Sequence, residues 1–420
     1  MRAMKDSGIP WIGEIPEGWN CARMKQIGKY VNGYAFKPED WGNSGKPIIR
    51  IQDLTGSNNS PNYYEGDIDE KYLIKNGDIL VSWAATLDAF IWGNGEGWLN
   101  QHIFKAIPNT SIQKDFFFWL LKVAMSHMNN DNKHGIVMQH LTLNVFGNFI
   151  IPIPPLAEQQ RIAEFLDRKC AEVDEMIALQ EQIIEELKAY KQSVITEAVT
   201  KGLNPAAPML DSGIEWIGSI TEHWEVRRIK FIGKAENGLT YSPNDVCDES
   251  EGILVLRSSN IQNGKLAFDD NVYVRSVPDS LRVRVGDIII CSRNGSASLV
   301  GKSALVDSEI DASFGAFMMR FRSNHNHKYI HFLLTATISH YKQLFTTTTI
   351  NQLTIGLINN IAMPFVEDAT EQQAIADYLD EKCADIDSLI QTKQSKIDSL
   401  KEYKKSIIYE YVTGKQEVNE

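Results

Sequence analysis

Apolar residues recur along this chain in two rhythms, and the change from one to the other comes at matching places in its two halves. In the first half, Leu166, Cys170, Val173, Ile177, Gln180, Ile184, Leu187, Lys191 and Val194 fall at alternating spacings of four and three. In the second half, Leu379, Cys383, Ile386, Ile390, Lys393, Ile397, Leu400, Lys404 and Ile407 keep the same frame without a gap. This is the a/d seam of a coiled coil. Neither stretch contains Gly or Pro, so each predicts a helix of roughly 60–70 Å at 1.5 Å per residue. Pro152, Pro154 and Pro155 block an earlier start of the first helix.

Elsewhere the pattern shortens. The runs Lys46–Leu54, Asp78–Trp83, Gly252–Ser258 and Gly286–Ser292 are β-rich and punctuated by Gly and Asn, as strands and turns require. Helical patterns near Asp115–Met128 and Tyr329–Phe345 add an α component. The expected fold class is α+β: two like α+β domains, 1–154 and 211–366, joined by helices over 155–202 and 367–415, with a linker at 203–210 and a tail at 416–420. The second helix needs a partner for its apolar stripe. Pairing with the first as it runs back makes an antiparallel coiled coil, with the domains at opposite ends about a pseudo-two-fold axis. The alternative is that each stripe packs on its own domain.

The halves are also linked by repeated words. Asp6-Ser-Gly-Ile-Pro-Trp-Ile-Gly-Glu-Ile-Pro-Glu-Gly-Trp19 returns as Asp211-Ser-Gly-Ile-Glu-Trp-Ile-Gly-Ser-Ile-Thr-Glu-His-Trp224. Glu158-Gln-Gln160 returns as Glu371-Gln-Gln373. Between these segments the copies share little beyond Gly77-Asp-Ile79 and Gly286-Asp-Ile288. A frame that keeps its ends and varies its middle points to one scaffold presenting two different recognition surfaces. Trp11, Trp19, Trp216 and Trp224 are read as core anchors in both copies, with a partner-facing role as the alternative.

The net charge of −12 argues at first against a nucleic-acid partner. However, residues 155–201 carry ten acids against six bases, and residues 367–420 thirteen against seven. The excess acid therefore sits on the helices, as a solvated face or a docking surface. The near-neutral domains remain free to turn a basic face to DNA. Five cysteines without close pairs fit a reduced cytoplasm. No apolar run approaches the ~20 residues that span a bilayer, and the N-terminus has no signal-peptide core. A cytoplasmic location is expected.

Signatures of catalytic chemistry are incomplete in this chain. Asn204-Pro205-Ala206 lacks the second proline and the aromatic of an amino-methyltransferase loop. Gly295 and Gly301-Lys302-Ser303 are one residue too far apart for a phosphate loop, and no helix-forming run follows. His325, His327 and His331 could approach one another at a helix start, but have no carboxylate or cysteine beside them and are read as solvated. Asp69-Glu-Lys71 stands in a charged turn, and Cys170 and Cys383 are small seam residues. The chain is expected not to be an enzyme on its own and to hold no metal.

The twice-repeated Asp-Ser-Gly-Ile-x-Trp-Ile-Gly segment and Glu-Gln-Gln motif, each followed by its long helix, resemble the specificity subunit of a type I restriction-modification enzyme. The resemblance covers essentially the whole chain. It departs where Pro154-Pro155-Leu156 becomes Val366-Glu367-Asp368, which puts the start of the second helix in question. The family implies two target-recognition domains, each reading one half of a bipartite, asymmetric site in double-stranded DNA. It further implies that the paired helices set the unread gap and dock two modification methyltransferase subunits, with restriction subunits completing the nuclease. Adenosylmethionine, ATP and magnesium would belong to those partners, with no cofactor on this chain. A rival reading keeps the architecture as a stand-alone DNA-binding or tethering protein.

Direct readout requires polar side chains on loops beside rigid strands, with Arg and Lys matching guanine and Asn or Gln matching adenine. In the first domain the candidates are Arg50, Gln52, Ser82, Trp83, Asn100, Gln101, His102, Lys133, His134, Gln139 and His140. In the second they are Arg257, Ser258, Asn260, Arg293, Asn294, Ser296, Thr346, Thr347, Thr348, Thr349, Asn351 and Gln352. The stretch Arg293-Asn-Gly-Ser-Ala-Ser298, directly after a strongly apolar strand, is the foremost.

Overall fold

A computed structural model of the chain describes residues 2–57, 60–84, 86–133, 142–342 and 351–418. It divides into two compact units, 1–181 with 395–420, and 182–394. Four helices matter below: α1 (Lys114–Lys133), α2 (Leu156–Lys201), α3 (His327–Tyr341) and α4 (Ala369–Val412).

In the first unit, Gly28–Asn32, Ile103–Pro108, Ile79–Ser82 and Asp88–Ile91 form an antiparallel sheet in that order. A second sheet orders Tyr63–Tyr64, Lys46–Ile49, Gly97–Leu99 and Leu73–Ile74, with Lys46–Ile49 and Gly97–Leu99 parallel. The apolar face of α1, including Phe116, Phe117, Leu120 and Met125, closes the core over Val81, Phe104 and Ala106. The predicted β run at Lys46–Leu54 is shorter than its pattern: the strand stops at Ile49, and Ile51–Leu54 forms one helical turn.

The second unit repeats the design with other residues. Gly233–Asn237, Met318–Ser323, Ile288–Cys291 and Ser303–Leu305 form its antiparallel sheet, and Ile253–Leu256 runs parallel to Ala312–Phe314 in the other. Tyr329, Ile330, Leu333 and Leu334 of α3 cover Ile288, Ile290, Met319 and Phe321. Strand order and pairing, not residue identity, are what the two domains share, and the central strands Ile79–Ser82 and Ile288–Cys291 are buried at every position.

The repeated Gly-Asp-Ile is the turn that holds each domain together. Asp78 accepts the Lys75 N–H and the Lys105 ammonium, at 2.8 and 2.6 Å. Asp287 accepts the Arg284 N–H at 2.8 Å and both arms of Arg322 at 2.6 and 2.7 Å, beside the buried Arg320. Gly286 has a φ of +93°, and a Cβ there would collide with the ring of His327. That ring belongs to the first residue of α3, so the turn and the helix start are packed as one piece.

The seam forms as its period dictates, and every seam position is buried or half-buried. In the first unit, Phe165 meets Tyr411 and Asp174 meets Lys404, so α2 and α4 run antiparallel. In the second, Lys191 meets Asp387 and Gly202 lies against Glu371, again antiparallel. The helix ends also enter the domain cores: Leu166 and Cys170 join one, Leu379 and Cys383 the other. Both packings considered from the sequence therefore occur, on different stretches of the same stripe. The missing prolines of the second copy are made good by Asp368, whose carboxylate accepts the Glu371 N–H at 2.8 Å and caps α4.

Candidate nucleic-acid interface

The repeated words are structural mounts. Trp19 is buried and donates its indole N–H to Glu158 at 2.9 Å, and Trp224 does the same to Glu371 at 3.1 Å. Arg2 and His223 complete the two carboxylates. Gln159 donates to the Pro154 carbonyl at 2.9 Å and accepts the N–H of Gln113 at 2.8 Å, while the Gln113 side chain caps α1. Gln372 donates to the Val366 carbonyl at 2.7 Å and accepts the N–H of Asn326 at 3.1 Å, and Asn326 caps α3. Trp11 and Trp216 are only half-buried and stack on His127 and His340 at 4.7 and 4.9 Å.

The sequence-based candidates separate by what their polar atoms already do. Three need correction as direct readers. Ser82 is fully buried and donates to the Thr86 carbonyl. Asn260 is fully buried and spends its amide on Ala267, Asp270 and Asn271 at 3.0–3.2 Å. Asn100 is buried, accepts the His102 N–H, and bridges to Tyr34. Polar side chains of these types look alike in sequence whether they face solvent or knit a loop. Arg257 is also committed, its guanidinium 2.8 Å from the Asp270 carboxylate.

In the first unit, the exposed His102 and half-buried Trp83 face each other with ring centroids 5.5 Å apart, and Gln101 adjoins them. Arg50 lies over Trp41 at 5.8 Å, and exposed Gln52 lines an open groove with Tyr63, Trp92 and Asn94. Lys133 ends α1, but its side chain and His134, Gln139 and His140 lie outside the described residues.

In the second unit, four chain segments converge. The Asn294 amide donates to the Ser258 hydroxyl at 3.1 Å, and the Asn351 amide to the Gly295 carbonyl at 3.3 Å. Arg293 pairs with Gln352 through a backbone bridge, and Ser296 shares a 2.7 Å hydrogen bond with Ser298. Thr346–Thr349 lie outside the described residues. Sequence reasoning missed Phe317, which stands exposed in this cluster with the Arg293 guanidinium 5.5 Å from its ring centre. No local pattern marks it, because its place depends on a turn meeting the end of a distant strand.

Other features with possible chemistry resolve into packing. Ser303 opens a strand, and Lys302 donates to the Ile261 carbonyl. Asp69 caps a single turn through the Lys71 N–H. His325 packs edge-on to Phe365, and burial pushes the His331 imidazole down to about 4. Among the described residues there is no His, Cys, Asp or Glu group able to hold a metal ion, and no helix long and apolar enough to cross a membrane.

Comparison with known proteins agrees with this geometry. The family model described as type I restriction modification DNA specificity domain matches twice, over residues 16–189 and 221–402. The chain is 29% identical over 334 residues to the type I restriction enzyme EcoBI specificity subunit of Escherichia coli, covering 75% of this chain and 68% of that protein. It is 26% identical over 434 residues to the MjaVIII specificity subunit of Methanocaldococcus jannaschii, covering 96% and 93%. A solved chain from a study of complex assembly and conformational transition of the type I R-M system superposes with a TM-score of 0.69. That match spans 96% of this chain and 99% of that one at 16% identity, a likeness of fold.

Proposed function

The chain belongs to the type I restriction-modification DNA specificity family, and from that premise we propose that its two units read the two unlike halves of a bipartite, asymmetric DNA site. The observation that carries this reading is one domain fold built twice with two different loop sets: Trp83, Gln101 and His102 in one, Ser258, Arg293, Asn294 and Gln352 in the other. Equal scaffolds place these loops equivalently, and unequal loops select unequal bases.

The chain contributes recognition and docking, not catalysis. Two modification methyltransferase subunits and the restriction subunits supply the chemistry, with adenosylmethionine, ATP and magnesium bound on those partners, in the cytoplasm. The repeated frame supports a pair of like partners, because it offers the same mount twice.

Genome-wide detection of modified bases, with the gene intact and deleted, tests the proposal. Loss of methylation at a single split motif with unlike halves and a fixed gap is the expected result. An unchanged methylome in a strain that expresses the chain and its methyltransferase partner would overturn it.

A further inference from the structure

We propose that Arg293, held on the ring of Phe317, reads a guanine in one half of the DNA site; the inference rests on the function proposed above. Phe317 occupies the turn between the strands Ala312–Phe314 and Met318–Ser323. This turn is closed by the Met318 N–H on the Gly315 carbonyl at 2.8 Å. The Phe317 carbonyl accepts the N–H groups of both Ser292 and Arg293, at 3.0 and 3.1 Å. Ser292 is pinned in turn from the other side, its carbonyl taking the Leu353 N–H at 2.8 Å. The base of the Arg293 side chain is thus fixed by main-chain bonds to two neighbouring segments.

A single exposed aromatic is ordinary on a protein surface. What distinguishes Phe317 is its neighbour. It is 59% exposed, and the Arg293 guanidinium lies 5.5 Å from its ring centre. Among the described residues no carboxylate pairs with that guanidinium, whereas Arg227, Arg257, Arg282, Arg320 and Arg322 of the same unit each meet one. Arg228, Arg275 and Arg284 also lack one among the described residues, and Arg293 differs from them in lying over a ring. A guanidinium stacked on an aromatic face keeps its planar fork oriented and its donors free. The matching acceptor pair in a major groove is O6 and N7 of guanine. Around it, Ser258, Asn294 and Asn351 are tied to one another's segments and hold the loop's shape.

The corresponding turn of the first unit carries a different pair. His102 stands in the turn between Gly97–Leu99 and Ile103–Pro108, and its carbonyl accepts the Trp83 N–H at 3.3 Å. His102 matches Phe317 in register and Trp83 matches Ser292, the residue before Arg293, so the aromatic of the first unit faces His102 from one position earlier in the chain. The frame is retained and the reading group exchanged, so the effect of altering Arg293 belongs to one half-site only. Phe317 acts through Arg293 and is a positioning residue.

The test uses the full chain in its host with its methyltransferase partner, and reads the methylated motif for wild type, the gene deletion, Arg293→Ala, Arg293→Lys, Phe317→Ala and Phe317→Tyr. The expected result is a wild-type motif with a guanine in one half at which Arg293→Ala loses about 10- to 100-fold discrimination and Arg293→Lys, which keeps the charge without the planar fork, loses less, the other half unchanged. Phe317→Ala should relax the same position, and Phe317→Tyr, which keeps the ring, should restore it. Where Arg293→Ala abolishes modification altogether, binding by the purified complex decides. Replacing that guanine with 7-deazaguanine should weaken the wild type and leave Arg293→Ala indifferent. A motif unchanged in both Arg293 variants, uniform weakening without a change of motif (a phosphate contact), or indifference of the wild type to 7-deazaguanine would each overturn the assignment. A methylome unaffected by the deletion would instead overturn the function on which it rests.

Discussion

The Lys191 ammonium lies 2.7 and 2.8 Å from the two carboxylate oxygens of Asp387. Lys404 makes the equivalent pair with Asp174, at 2.6 Å to each oxygen. The same sequence offset separates the two lysines as separates the two aspartates, so one pair is the other with the helices exchanged. A lysine at a seam position puts its stem among apolar neighbours and its charge at the rim.

Partly exposed pairs of this kind stabilise by ~0.2–1 kcal/mol. Lys404→Ala and Asp174→Ala should each lower the urea midpoint slightly, and the double variant should lose less than the sum. The exchange Lys404→Asp with Asp174→Lys should recover most of the loss. Additive losses in the double-mutant cycle would show that the pair contributes nothing.

The buried glutamines should matter more. Gln159→Ala leaves the Gln113 N–H without its acceptor, and Gln372→Ala does so for Asn326. A buried unsatisfied group costs about 1–3 kcal/mol. Denaturant unfolding of each variant should show a loss of that size, with proteolysis beginning near the head of α1 or α3 respectively.

Asp287→Asn should be the most damaging of the conservative changes. It leaves Arg320 and Arg322 facing a neutral group in a site where Asp287 itself is 1% exposed. Removing one partner of a buried pair costs about 3–5 kcal/mol. Asp78→Asn should cost clearly less, because the Lys105 and Asp78 side chains keep 18% and 23% of their surface. Equal losses in thermal unfolding would contradict this.

Stability should also depend on His331. Burial holds its imidazole at about 4 against an ordinary 6.5, outweighing the Ser303 backbone bond and Asp380, which favour the proton, and adding to Lys191, which opposes it. The unfolded chain therefore takes up the proton first. This contribution is complete above about 6.5 and is lost as pH falls toward 4. Thermal midpoints at pH 7.5 and 5.0 should differ less in His331→Leu than in the wild type.

Cys170 is pushed up to about 11 by burial at the seam, and Cys383 and Cys291 are raised for the same reason. Thiolate is the reactive form. Iodoacetamide at pH 8 should leave these three unlabelled in the native protein, as read by mass spectrometry, and label the half-buried Cys247.

What the sequence disclosed and what it hid follow from the range of the interactions. The seam was legible because Leu166 to Val194 repeat at a spacing that a helix turns into one face. The domain helices were legible for the same reason, and α3 begins within two residues of its pattern. Glu158 and Gln159 were visible as a repeated word, but their partners, Trp19 and the N–H of Gln113, stand far off in the chain. Asp368 starts its helix by a side-chain cap where the first copy has prolines, which a match of letters cannot register. At the interface, Ser82 and Asn260 were indistinguishable from solvent-facing residues until folding placed them inside, and Phe317 became relevant only through the strand end it meets.

The two glutamine mounts grip main chain. Gln159 holds the amide of residue 113 and the carbonyls of Ser111 and Pro154, and Gln372 holds the amide of residue 326 and the carbonyl of Val366. Any residue except proline presents such an amide, so the attachment makes almost no demand on what is written in the domain it secures. A recognition domain can therefore drift through new loop sequences while its fixings stay valid, which is how two halves this unlike can still hang from one frame.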